Sequence, residues 1–352
     1  MIHDEASDGT GGPMDERLGQ AWALLEAGDA EGARALVKTF VAEEGSEADV
    51  LLLLAACARE EGNDDEALEV LGRASARDPE WATPHLWMAE LLLLQGRGVE
   101  ALKHARKAVD LAEDEDEFLS AVVFRASLEL ESDNPAAAKA ALDELPPPEV
   151  LAGTPEVAID AAELHLSLGQ PARARALVQS LIDANEDEET LADAWHTMGL
   201  VEEASGDETA KRRAWVRTHE LDERLSAENE TFAADAEEVQ AIAASAFEEL
   251  PAKARKLLQN VPILIDDRPG RDEVAEGLDP RLLGLFRGLP MPEEETMGPG
   301  PGLRQIVLYR HNLQRVAPDD MSLAEEIRVT LLHETGHFFG LDEDELEALG
   351  LD

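Results

Sequence analysis

Small and apolar residues recur along the first two thirds of the chain with a period of 34. Gly28, Gly62 and Gly96 stand 34 residues apart, and each precedes an alanine by five positions: Ala33, Ala67 and Ala101. Ala74 and Ala108 follow the second and third of these alanines by seven residues, and Pro79 closes the second unit. Ala138 and Ala174 keep the theme at wider spacings of 37 and 36, with Pro146-Pro147-Pro148 marking an insertion. Gly206 opens a last, degenerate unit around Lys211 to Trp215. Such self-similarity marks stacked units, each burying its apolar face on its neighbours. Five or six units are expected over about residues 14–222. Trp22, Trp81, Trp87, Trp195 and Trp215 are expected to fill seams between helices. His85, His104, His165, His196 and His219 sit singly at no metal-binding spacing and read as structural or surface residues.

A different pattern follows. Residues 223–235 are polar and read as a connection, and Val239 to Leu258 reads as helix, broken near Pro251. Val261 to Ile265, Leu282 to Arg287 and Gln305 to Arg310 are short β-type runs. Between the last two, Pro290 to Gly302 holds four prolines and three glycines without an apolar period, which predicts a mobile loop. A final helix is expected to start at a Ser322–Glu325 capping box and to bury Ile327, Val329, Leu331, Leu332, Phe338 and Phe339. The 34-residue pattern resembles the tetratricopeptide repeat, which implies a helix-turn-helix in each unit.

The final helix carries the candidate chemistry. Residues 333 to 337 read His-Glu-Thr-Gly-His, so His333 and His337 lie one turn apart on one helical face. Two imidazoles so placed can hold one zinc ion. Glu334, beside the first histidine, can act as general base while zinc lowers the pKa of the attacking water. Gly340, three residues after His337, lets the helix stop in a left-handed turn that returns the chain for a third ligand.

Together with Glu248-Glu249-Leu250-Pro251, Asn260-Val261-Pro262, the run Leu282 to Phe286, the run Ile306 to Arg310 and the acidic turn after Gly340, this helix resembles the compact zincin-like metallopeptidases of bacteria. The resemblance covers roughly the last third of the chain and implies a minimal zincin fold with a metal-dependent peptidase activity. The third ligand of related sites falls ten residues after the first histidine, which here is Glu343. Asp342 and Asp344 flank it, leaving the register open between them, and an acidic helix cap is the alternative use of all three. No methionine follows Gly340, so the site floor must come from upstream residues. Gln305 to Arg310 is the candidate edge strand for pairing with a substrate backbone. Tyr309, the only tyrosine, is expected to be packed rather than catalytic.

Charge narrows the partners. With 77 acidic against 30 basic residues, the net charge of -47 repels nucleic acid and anionic membrane. Cys57 is the only cysteine, so neither an intrachain disulfide nor a thiolate zinc cluster can form. Leu51 to Ala56 is too short to span a bilayer, and residues 1–13, polar and without an apolar signal region, are expected to be a disordered tail. A cytoplasmic protein is expected. The resulting reading is a mostly α chain, with a tetratricopeptide-type α-solenoid (14–222), a linker (223–235) and a small α+β zincin-like domain (236–352). Its function would be zinc-dependent peptide hydrolysis, with the repeats taking a protein or peptide partner. The alternative is a repeat scaffold whose zincin-like domain is inactive or structural.

Overall fold

The computed structural model describes residues 13–44, 48–228, 236–250, 252–288, 304–317, 320–342 and 345–346. They divide into two compact units, Met1–Leu177 and Val178–Asp352.

The first unit is built of helical hairpins: α1 (Pro13–Glu26) with α2 (Ala30–Glu44), α3 (Ala48–Glu60) with α4 (Asp64–Arg77), and α5 (Thr83–Leu94) with α6 (Gly98–Leu111). Then come α7 (Glu115–Glu131) paired with α8 (Pro135–Leu142), the short α9 (Pro148–Leu151), α10 (Pro155–Ser167) and the start of α11 (Pro171–Ala184). The recurring glycine is the turn of each hairpin. Gly62 has φ +71°, its N–H bonds the Arg59 carbonyl, and the next N–H reaches back to Ala58, so the last turn of α3 is satisfied internally. In the fourth unit Asp133 takes this place, with φ +56° and the same pair of bonds. Aspartate is among the few residues that tolerate this conformation, which is why the glycine period lapses there. The residue five places later is a buried alanine in each of these units: Ala33, Ala67, Ala101, Ala138 and Ala174. A cavity of about 410 Å³ lies between α7 and α10, where Val123, Phe124 and Leu164 meet Glu156, Asp160 and Glu163.

The second unit begins within α11 and contains a further repeat hairpin, α12 (Glu188–Ala204) and α13 (Glu208–Glu228), turned on Gly206. It continues with α14 (Ala236–Glu249), α15 (Ala252–Leu258), β1 (Ile263–Asp266), α16 (Arg271–Glu276), β2 (Gly284–Arg287), β3 (Gln305–Tyr309), α17 (Arg310–Val316) and α18 (Asp320–Phe339). The division therefore lies upstream of the boundary expected at residue 222, and α13 runs on through Glu228. The tail before Pro13, the loop 290–302 and positions 229–235 of the linker lie outside the described residues.

The sheet has the order β1-β3-β2, with β1 parallel and β2 antiparallel to β3. The expectation that Gln305 to Arg310 forms an edge is overturned, because β3 is paired on both sides. Its Ile306, Val307, Leu308 and Tyr309 are all buried, as both faces of a central strand must be. Leu323, Ile327, Leu331 and Phe338 of α18 form an apolar stripe that packs with Ile306, Leu308 and the α14 residues Val239 and Ala243. The helix starts at Asp320, ahead of Ser322, and the Glu325 carboxylate is taken by Arg328. Ser322 is thus inside the helix and is not its N-cap.

Candidate metal centre

At 3.6 residues per turn His333 and His337 lie about 40° apart around α18, with Glu334 between them and the apolar stripe. The two Nε2 atoms converge to 3.0 Å. Two zinc–nitrogen bonds of ~2.05 Å at a tetrahedral angle span about 3.3 Å, so the pair is spaced to share one ion. His337 Nδ1 lies 3.2 Å from the Leu341 carbonyl. Donation to that carbonyl places the proton on Nδ1 and leaves the Nε2 lone pair facing His333, the arrangement a histidine ligand needs.

Gly340 makes that carbonyl available. It has φ +85°, its N–H bonds the His337 carbonyl, and Leu341 N–H reaches back to Gly336. This is the left-handed helix stop expected from the sequence. The chain then returns along α18, and buried Leu346 packs on Gly336 so closely that a Cβ there would sit 2.4 Å from its Cδ2.

Asp342 has a defined use in this return. Its carboxylate accepts the Glu345 N–H at 3.0 Å, and its own N–H donates to the Glu345 carboxylate at 3.1 Å, a reciprocal capping box. Glu343 and Asp344 lie outside the described residues. Among the described residues no three histidine, cysteine or acidic side chains converge as a metal group.

Glu334 is 5% exposed, and its Oε2 accepts the Phe286 N–H at 2.5 Å. Register explains the availability of that amide. Tyr309 N–H bonds the Leu283 carbonyl, so Leu283, Leu285 and Arg287 turn toward β3 while Gly284 and Phe286 turn outward. Gly284 lets helix and strand meet, since a Cβ there would lie 2.7 Å from Thr330 Cγ2 and 3.0 Å from Glu334 Cγ. The sequence held a signal for this contact: a lone glycine in a β-type run marks a close approach. Tyr309 is fully buried, and its hydroxyl accepts from Arg287 at 3.2 Å. Burial pushes its pKa up to about 12.

Residues 258–351 match the family model described as zincin-like metallopeptidase. Tetratricopeptide repeat models match residues 24–91, 82–107 and 155–180. The chain joins tetratricopeptide repeats to a zincin-like segment. No curated protein matches it. Similar solved structures include pilF of Pseudomonas aeruginosa, at 18% identity and TM-score 0.45, covering 61% of this chain and 97% of that one. A tetratricopeptide protein of Thermus thermophilus is 21% identical at TM-score 0.41, covering 52% of this chain and 97% of that one. Likeness at this level bears on neither partner nor activity. The α12–α13 hairpin falls between the matched spans, yet it packs in the same compact unit as the zincin-like segment. Among the described residues no helix is long and apolar enough to cross a membrane.

Proposed function

We propose that the zincin-like segment is a zinc-dependent peptidase in which His333 and His337 hold the metal, with Glu343 as the third ligand. The observation that carries this reading is the 3.0 Å convergence of the two Nε2 atoms, with the Glu334 carboxylate buried beside them. Zinc, when bound, supplies Lewis acidity to the hydrolysis. Glu334 takes the proton of the attacking water as general base, held in place by the Phe286 N–H. The capping role of Asp342 argues for Glu343 over Asp342 as ligand, because its carboxylate is already bound to the backbone. An extended substrate meets an outer strand of the described sheet, β1 or β2, rather than the central β3.

The repeats serve as the partner-binding module. The lining of the cavity between α7 and α10 combines apolar residues with Glu156, Asp160 and Glu163, which suits a basic protein or peptide. A net charge of -47 would steer such a partner and repel nucleic acid and anionic membranes, in keeping with a cytoplasmic protein.

The decisive experiment compares the wild type with Glu334→Gln for zinc content and for cleavage of a peptide library. The variant is expected to keep about one zinc per chain and to lose roughly a hundred- to ten-thousandfold in rate. Equal cleavage by both proteins would refute the general base. Zinc binding without cleavage by either would assign the function to the repeats and leave the zincin-like segment structural.

A further inference from the structure

The turn that leads into β2 is held by the last repeat hairpin. Arg281, three residues before Gly284, donates from Nε and Nη2 to the two carboxylate oxygens of Asp222 on α13, both at 3.1 Å. Its Nη1 lies 2.7 Å from Asp193 on α12. Arg315, in α17 just beyond β3, closes the ring, reaching Asp193 at 3.0 Å and Asp222 at 2.6 Å. The side chains of Arg281 and Asp222 are only 13% and 7% exposed, so the fork is shielded from water and salt.

Other bonds tie the same turn. His196 of α12 meets the Asp279 carboxylate at 3.0 Å, and that carboxylate accepts the Arg281 N–H at 2.8 Å. Asn312 donates to the carbonyls of Pro280 and Leu282 at 2.9 and 2.8 Å. The next residue, Leu283, accepts from Tyr309, and β2 then runs directly to Gly284 and to the Phe286 amide that holds Glu334. Two arginines against two aspartates leave the ring without net charge, so its value lies in direction: it fixes where β2 begins relative to α18.

We infer that Asp222 and Arg281 are positioning residues for Glu334, acting through β2, and that the α12–α13 hairpin is therefore an integral part of the peptidase unit. This inference rests on the reading of Glu334 as proton acceptor. The test is Asp222→Asn in the full chain, which keeps the side chain's size while removing its charge. Amide exchange at Leu285, Phe286 and Arg287 is compared with exchange at β1, alongside zinc content. Exchange in β2 should quicken at least about tenfold, with β1 within about twofold of the wild type and zinc retained. Unchanged β2 exchange, or an equal rise in both strands, would overturn the positioning role, the latter by showing a general loss of stability. Should Asp222→Asn not fold, Arg281→Lys is read by the same comparison, since it keeps the buried charge but loses the two-pronged bond. Absence of zinc from wild type and variant alike, with β2 still responding, would reject the metal centre and leave the strand positioning intact.

Discussion

The α3–α4 and α12–α13 hairpins turn on the same left-handed glycine, Gly62 and Gly206, but bury different chemistry. The first is apolar throughout: Leu51, Leu53, Cys57, Ala67, Leu71 and Ala74 are all at most 1% exposed. In the second, Glu202, Lys211, Thr218, His219 and Asp222 are buried. Lys211 stands where earlier units carry their buried alanine. Its ammonium pairs with Glu203 and Glu208 at 3.0 Å and lies 4.9 Å over the Trp215 ring. The turn depends on backbone geometry alone and survives; the packing face depends on what covers it. Around α12–α13 the neighbours include Asp279, Arg281 and Arg315, and the hairpin presents Asp193, His196 and Asp222 to them. His219 likewise bonds the Pro269 carbonyl at 3.0 Å. A repeat hairpin can thus keep its turn while its face is rebuilt to organise a neighbouring domain.

The largest expected effect separates the two hairpins. Arg281→Ala leaves Asp193 and the buried Asp222 to Arg315 alone, and losing one partner of a buried ion pair costs up to about 3–5 kcal/mol. Calorimetry of the full chain should show the second unit melting earlier, with the transition of the first unit unmoved. A matching drop in both transitions would contradict the contrast.

Acid should act on the first unit through α5 and α6. His85 and His104 stack with their Nδ1 atoms 3.0 Å apart, a contact that needs at least one neutral ring. Burial, with lesser contributions from Lys107 and His104, pushes His85 down to about 4, and burial also lowers His104. Between about pH 6.5 and 4 the unfolded chain therefore binds protons that folded His85 does not, so stability falls as pH falls through that window. The loss is on the order of a few kcal/mol, read by urea melts across the range, and His85→Gln should flatten the profile. A flat wild-type profile would rule out this pair as the acid-sensitive element.

Smaller effects sharpen the comparison between a turn glycine and a contact glycine. Gly284→Ala must push Thr330 and Glu334 aside, which costs roughly 1–3 kcal/mol and should quicken exchange of the Phe286 amide. Gly62→Ala meets no neighbouring atom and pays only for its positive φ, about 1 kcal/mol, with no effect on zinc content. Equal perturbation of the Phe286 amide by both variants would show that Gly284 has no special contact role.

The helix-turn-helix period, the left-handed stop at Gly340 and the histidine pair were legible in the sequence. Each is a relation between residues within a turn or a hairpin, where helical geometry converts spacing directly into proximity. The rank of the strands was partly legible: four consecutive apolar residues, Ile306 to Tyr309, are the mark of a central strand. The run lacks the alternation of apolar and polar residues that a strand with one solvated face would show.

Local order along the chain determined by itself that this protein consists of stacked helical hairpins followed by a helix bearing His333, Glu334 and His337. The tertiary structure alone decided that Phe286, 48 residues before Glu334, would bind its carboxylate, and that Asp222 and Asp193 would hold Arg281 and Arg315 across 59 and 122 residues. Such pairings are set by which strands lie side by side and which faces they turn outward. No spacing rule along one chain encodes them, because the entropy of closing a long loop changes only slowly with its length and so favours no particular separation.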